Sequence, residues 1–299
     1  MTRTVLITGT SSGYGKAMAD LFHRRGWNVV ATMRRPDPEV FAAASHRLPS
    51  HRLPSHRLPS DRLPSDRLVV LPLDVTDSKS IENALEEAAA AFGAIDVLVN
   101  NAGIGLASIV EATPDRVVHE IFETNTFGVF ATCRAVIPRM RARGCGTIIN
   151  VTSSAGIGPM PLSAVYAASK CAVEGFTEAL SYELEPFGIK ARLIEPGYAP
   201  TTNFSANAGP RLQGLIPDDY GAFAQSYFQK LASYPTAYCT EAEVAEAALA
   251  AATDQSDKLR YPAGADSKLL AELRWTTSED HYLARMRDMF APAPAGRRH

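Results

Sequence analysis

Tyr166 and Lys170, in the run Tyr-Ala-Ala-Ser-Lys, stand at a spacing suited to moving a proton. Residues four apart on a helix lie one above the other on the same face. A free phenol ionises near pH ~10, poorly matched to acid–base work near neutrality. An ammonium group held beside it favours the phenolate and is expected to bring Tyr166 down toward a useful range. The same spacing arises by chance on many surface helices, so the pair carries weight only if the chain supplies the parts around it.

The elements that must position such a pair are legible along the chain. The run 4–8 reads as a buried parallel strand and is followed by Gly9-Thr-Ser-Ser-Gly13-Tyr-Gly15. An amphipathic stretch over 16–25, stopped by Gly26, then leads to a second strand over 28–33. Strand, glycine-rich turn, helix and strand open a nucleotide-binding crossover. The glycines let backbone approach a ligand, and the helix start offers N–H groups to an anion such as a pyrophosphate. The spacing G-x-x-x-G-x-G differs from G-x-G-x-x-G, and a plain turn is the other reading.

Further strands are expected over 68–74, 95–99, 146–152, 189–194 and 258–261. Helices are expected over 77–92 (with Asp77 or Ser78 as N-cap), over 114–143 with an interruption near Pro138, and over 163–185, which carries Tyr166 and Lys170. Another covers 241–253, and two short ones fall within 267–290. Alternating strands and helices predict one α/β domain, a Rossmann-type doubly wound parallel sheet of about seven strands. Ligands of such sheets sit beyond the carboxyl ends of the strands.

Composition narrows the function. A net charge of -2 argues against a nucleic-acid or anionic-membrane surface. No apolar run reaches ~18 residues and a strand pattern starts at once, so no membrane span or signal peptide is expected. Cys133, Cys145, Cys171 and Cys239 are scattered without metal-ligand spacing, which predicts reduced thiols, no metal site and a cytoplasmic protein. Over 45–68 a five-residue unit repeats as SHRLP three times, then SDRLP and SDRL. Proline every fifth residue blocks helix propagation, and this insertion is expected to be an extended or disordered loop. Its Arg and His residues could otherwise touch an acidic partner or a phosphate. A substrate lid is expected over 198–238 and a frayed tail over 291–299.

With these parts assembled, the chain resembles the classical short-chain dehydrogenases/reductases from about Val5 to Thr201. The resemblance rests on T-G-x-x-x-G-x-G (Thr8 to Gly15), Asp74, N-N-A-G (Asn100 to Gly103), Asn125, Ser153, Y-x-x-x-K and Pro196-Gly197. Ser153 precedes Tyr166 by thirteen residues and follows Asn125 by twenty-eight, as that family has them. What the resemblance implies is hydride transfer between a nicotinamide and a carbonyl. Tyr166 would be the general acid, Ser153 would hold the carbonyl oxygen, and Lys170 would lower the Tyr166 pKa and hold the ribose. Asn125 would fix a relay water. Ser154 competes for the serine role, but S-x-x-G with Gly156 selects Ser153. The implied cofactor contacts are Gly9, Ser11, Ser12, Gly13, Tyr14, Gly15, Arg34, Asp74, Val75, Asn101, Ala102, Gly103, Tyr166, Lys170, Pro196, Gly197 and Thr201. Plain structural readings stay open beside several of these: a capping acid for Asp74, a helix kink for Asn125, a turn for the asparagines.

Cofactor choice rests on the end of the second strand, where NAD enzymes place an acid for the ribose 2′-OH. Here Met33 is followed by Arg34 and Arg35, and a guanidinium suits a 2′-phosphate, so NADP(H) is expected over NAD(H). The other reading makes both arginines solvated loop charges. The substrate is a small-molecule carbonyl or alcohol. Tyr198, Phe204, Leu212, Leu215, Ile216, Tyr220, Phe223, Tyr227 and Phe228 could line its pocket or merely pack the lid. The segment 258–264 looks like that of the subgroup similar to 17β-hydroxysteroid and retinol dehydrogenases. A non-catalytic NADP(H) sensor is a second class, though such proteins are expected to lose the tyrosine or lysine that this chain keeps. An epimerase or dehydratase with transiently used NAD is a third, disfavoured by the glycine spacing. The resemblance also implies a homodimer or homotetramer.

Overall fold

Seven short runs, all but the last rich in Val, Ile and Leu, stack edge to edge in a computed structural model, which describes residues 2–47, 65–199, 214–233 and 237–290. The strands are β1 (Thr4–Thr8), β2 (Asn28–Met33), β3 (Leu68–Pro72), β4 (Val97–Asn100), β5 (Gly146–Val151), β6 (Ile189–Pro196) and β7 (Arg260–Ala263). All pair in parallel, in the order β3-β2-β1-β4-β5-β6-β7. Such strands are buried on both faces, which explains why they read as continuous apolar runs rather than alternating ones.

The helices that cover them are α1 (Gly13–Arg24), α2 (Ser78–Phe92), α3 (Asp115–Phe122), α4 (Gly128–Arg143), α5 (Ser154–Ile157) and α6 (Ala164–Leu184). After β6 follow α7 (Gly221–Ala232), α8 (Glu241–Thr253), α9 (Ala265–Thr276) and α10 (Glu279–Phe290). On one face Met18 and Phe22 of α1 pack with Val244 and Ala248 of α8 against β1 and β2. On the other, Ile81 and Leu85 of α2, Val129 and Val136 of α4, and Val173 and Leu180 of α6 share a second core. The sheet is therefore doubly wound. The chain leaves β1 toward β3, then crosses back to start β4 on the other side of β1, and this reversal is where a cleft opens.

Local chemistry fixes several boundaries. Asp77 is the N-cap of α2 and accepts from the Lys79 N–H at 2.8 Å. Thr240 and Glu243 form a capping box at α8. Two sequence expectations need correction. The long helical region is interrupted at a π-turn, Glu123–Phe127, whereas α4 runs through Pro138. The cause is Asn125, whose fully buried side chain is bound to the backbone of Ile104 and pulls that turn inward. The third strand ends at Pro72, two residues before Asp74, which starts a turn instead. The repeat falls largely on 48–64, and the tail 291–299 is likewise outside the described residues. At the repeat's borders a 3-10 stretch runs Pro38–Arg47, and Ser65 bridges to Leu68 at the start of β3.

Candidate active site

The floor of the cleft is the turn between β1 and α1. Gly9 and Gly13 hold φ of +72° and +55°, a region side chains rarely enter. A Cβ on Gly15 would sit 2.1 Å from the Gly9 carbonyl oxygen, so only glycine lets α1 start so close under the turn. Ser12 caps α1 without a side-chain bond to its first N–H groups. Asn101 Nδ2 donates to the carbonyls of Thr8 and Gly9 at 2.9 and 3.0 Å, which clamps the Asn-Asn-Ala-Gly segment onto the turn. Tyr14 Oη donates to Gly197 O at 3.2 Å and ties the same turn to the loop after β6. A positive-φ glycine turn at a helix N-terminus is a cradle that fits a pyrophosphate.

Around that floor is a cleft of about 1000 Å³. Of the residues singled out from sequence, it is lined by Gly9, Ser11, Ser12, Gly13, Tyr14, Gly15, Arg34, Asp74, Val75, Asn101, Ala102, Gly103, Ser153, Tyr166, Lys170, Pro196 and Gly197. Thr201 lies outside the described residues. Asn125 is placed one layer behind the lining. A Cβ on Gly103 would come within 3.2 Å of Asn125 Oδ1 and 3.5 Å of Lys170 Nζ, so these three meet at one point. Asp74 accepts from Thr76 N and Oγ1 at 3.0 and 2.8 Å, which holds its carboxylate at the cleft edge. Arg34 stands on the rim beyond β2, and Arg35 does not reach the lining.

Ser153, Tyr166 and Lys170 share one wall. Ser153 is the N-cap of α5, its Oγ accepting from Ala155 N at 3.1 Å, and its side chain is hydrogen-bonded to Tyr166. Lys170 Nζ lies 5.9 Å from the centre of the Tyr166 ring and donates to Val151 O at 3.1 Å. Their electrostatics correct the sequence expectation. Burial pushes the Tyr166 phenol up to about 12, and the group that pulls it back is Ser153 rather than Lys170. Burial likewise brings Lys170 down to about 8, opposed by the charge of Glu174. Desolvation outweighs the attraction expected across the pair because both groups are held away from water.

Another part of the lining is apolar. Tyr198, Tyr227 and Phe228 of the expected lid line it, joined by Leu106, Met160, Leu162 and Leu231. Leu215 and Ile216 instead pack beneath, Tyr220 and Phe223 stay out of the lining, and Phe204 and Leu212 are outside the described residues. Leu162 is a buried leucine at φ +62°, a strained conformation held by its surroundings. Sequence gave no signal for Leu106, Met160 or Leu162, since apolar loop residues carry no periodicity.

The family model described as short chain dehydrogenase matches residues 3–211. YusZ of Bacillus subtilis, an uncharacterized oxidoreductase, is 36% identical over 275 residues, 89% of this chain and 91% of that protein. The 3-ketodihydrosphingosine reductase of Bacteroides thetaiotaomicron is 38% identical over 223 residues, 74% of this chain and 73% of its own length. Human retinol dehydrogenase 8 is 38% identical over 200 residues, covering 65% and 58%. Among solved structures, a gluconate 5-dehydrogenase from Burkholderia cenocepacia in complex with NADP and tartrate is 27% identical, with TM-score 0.68 over 89% of this chain and 95% of that one. A 3-ketoacyl-(acyl-carrier-protein) reductase from Brucella melitensis, complexed with NADH, is also 27% identical, with TM-score 0.67 over 89% and 98%.

Proposed function

The chain belongs to the short-chain dehydrogenase family and is an oxidoreductase, and we propose that it interconverts a ketone and a secondary alcohol with NADP(H). The observation that carries this reading is the convergence of Ser153, Tyr166 and Lys170 on one wall of a cleft floored by the glycine turn. The turn, Asp74, Val75 and the Asn101-Ala102-Gly103 segment would hold the adenosine and pyrophosphate. Lys170, Pro196, Gly197 and Thr201 would hold the nicotinamide half. When bound, the cofactor supplies or accepts the hydride.

Tyr166 Oη carries the proton. Its raised pKa keeps the phenol protonated at neutral pH, the form that can donate to a carbonyl oxygen as negative charge develops there. Ser153 Oγ gives that same oxygen a second hydrogen bond. Lys170, still largely cationic at neutral pH, stabilises the phenolate left behind. Asn125 holds the backbone of Ile104 in register with the π-turn and so places Gly103 against Lys170. The apolar wall suits a substrate with a hydrocarbon body, in keeping with the lipid-named relatives. No helix among the described residues is long and apolar enough to cross a membrane. A cytoplasmic setting is our reading of four unpaired cysteines.

Two measurements test this. In a panel of apolar ketones followed by nicotinamide absorbance, NADPH oxidation is expected for at least one, with NADH slower; firm NADPH binding without turnover of any carbonyl or alcohol would favour a sensor. Arg34→Ala is expected to weaken NADPH binding about tenfold or more while leaving NADH binding unchanged, since only the 2′-phosphate needs the guanidinium. Equal loss for both cofactors would remove Arg34 from the selection.

A further inference from the structure

One turn beyond Lys170 on α6 lies an acid that the proposed chemistry does not use. Glu174 is buried, at 7% exposure, and stands outside the cleft lining. Its Oε1 accepts from the Thr152 hydroxyl, and its Oε2 pairs with Arg260 Nη1 of β7. The same Nη1 pairs with Glu195 Oε1 of β6 at 2.9 Å, and Arg260 Nη2 reaches Glu178 Oε2 at 3.0 Å. Glu195 is fully buried, and its Oε2 meets no N–H or O–H donor. On α5, Gly156 makes the room: a Cβ there would lie 3.2 Å from both Cγ and Oε1 of Glu174. Two buried carboxylates on one guanidinium repel each other, which favours a shared proton between them. Burial raises both acids, and the Glu174 charge adds to the rise at Glu195, to about 8, so Glu195 is the member that holds a proton at neutral pH.

Each contact of this cluster reaches a neighbour of the site. Thr152 directly precedes Ser153, Glu195 directly precedes Pro196-Gly197, and Glu174 shares the α6 face of Lys170. We propose that Glu174 is a positioning residue for the reaction, which fixes the Thr152-Ser153 turn through the threonine hydroxyl and supplies the anion that keeps Lys170 charged. This rests on the function proposed above. Glu174 touches neither substrate nor cofactor; it acts through Ser153 and Lys170. The charged and titratable groups around it are Lys170, Cys171 and Glu178 on α6, Glu195 on β6 and Arg260 on β7, with Arg274 of α9 acting on Cys171. Lys170 and Arg260 are the cations that its charge balances directly.

The sign of the effect follows. Glu174→Gln keeps the shape of the side chain but takes the anion away, so Lys170 loses its proton at lower pH. The alkaline fall of kcat/KM for carbonyl reduction is then expected about one pH unit lower than in the wild type, with the fall in NADPH affinity moving alongside. Thr152→Val, a milder change, removes the donor that favours the Glu174 anion and loosens Ser153. It is expected to lower kcat and to move the alkaline fall the same way by less. Glu195→Gln offers Glu174 a permanent donor in place of the shared proton and is expected to leave the neutral-pH rate close to wild type. NADPH binding by the wild type reads the functional assignment; the shift between variant and wild type reads Glu174. Wild-type pH profiles in folded Glu174→Gln would overturn the proposal. If that variant does not fold, an unchanged kcat and pH profile in Thr152→Val would overturn it equally.

Discussion

At the scale of single residues, burial drives both members of the proton-handling pair toward their neutral forms. Tyr166 rises to about 12 and Lys170 falls to about 8. For Lys170 this has a consequence in stability. Its folded pKa lies below the value of 10.5 it starts from, so between about 8 and 10.5 the unfolded chain binds more protons. Stability from this group therefore rises as pH climbs through that window, and its charged form is a cost below it. Lys170→Met is expected to raise Tm at neutral pH, with the gain shrinking as pH rises past about 8. A gain independent of pH in thermal unfolding would mean that packing, not desolvated charge, sets the cost. Spacing alone made the pair legible, but not its electrostatics. Four residues on a helix give proximity; the balance of desolvation against attraction depends on Val151 and Ser153, which come from elsewhere in the fold, and on Glu174 one turn further along α6.

At the scale of elements, the strands were readable because a parallel sheet buried on both faces favours runs of Val, Ile and Leu, as in 68–71 and 97–99. The glycine turn was readable because its φ values and close approaches exclude other residues. Gly15 shows how strict that is: a methyl group 2.1 Å from the Gly9 carbonyl meets backbone, which cannot swing aside. Gly15→Ala is expected to cost about 1–3 kcal/mol in thermal or urea unfolding and to abolish cofactor binding. Unchanged stability and affinity would show that the turn tolerates displacement. Pro138 misled because proline's missing N–H reads as a break, yet α4 continues through it. The true break at Asn125 depends on a hydrogen bond to Ile104, a partner twenty-one residues away that no local pattern reveals. Leu162 was illegible for the same reason, since nothing in its type announces a left-handed backbone.

At the scale of the molecule, α4 and α6 leave aromatic side chains in water. Phe127 beside α4 is 49% exposed, Tyr182 on α6 is 68% exposed, and Phe187 just after it is 43% exposed. Large apolar side chains exposed on helices are a feature that association surfaces use. A homodimer or homotetramer built on these helices is our expectation, and Tyr182→Arg is expected to shift the mass seen by light scattering toward the monomer. The same mass in wild type and variant would move the interface elsewhere. Such association would hold α6, and with it Tyr166 and Lys170, against a partner's helices, so assembly and activity are expected to fall together.

The most direct trial is Tyr166→Phe, which deletes one oxygen and keeps the ring. NADPH affinity is expected to stay near wild type while kcat for ketone reduction falls about 100-fold or more, the loss typical of a missing general acid. Undiminished turnover in the folded variant would show that the proton comes from another group.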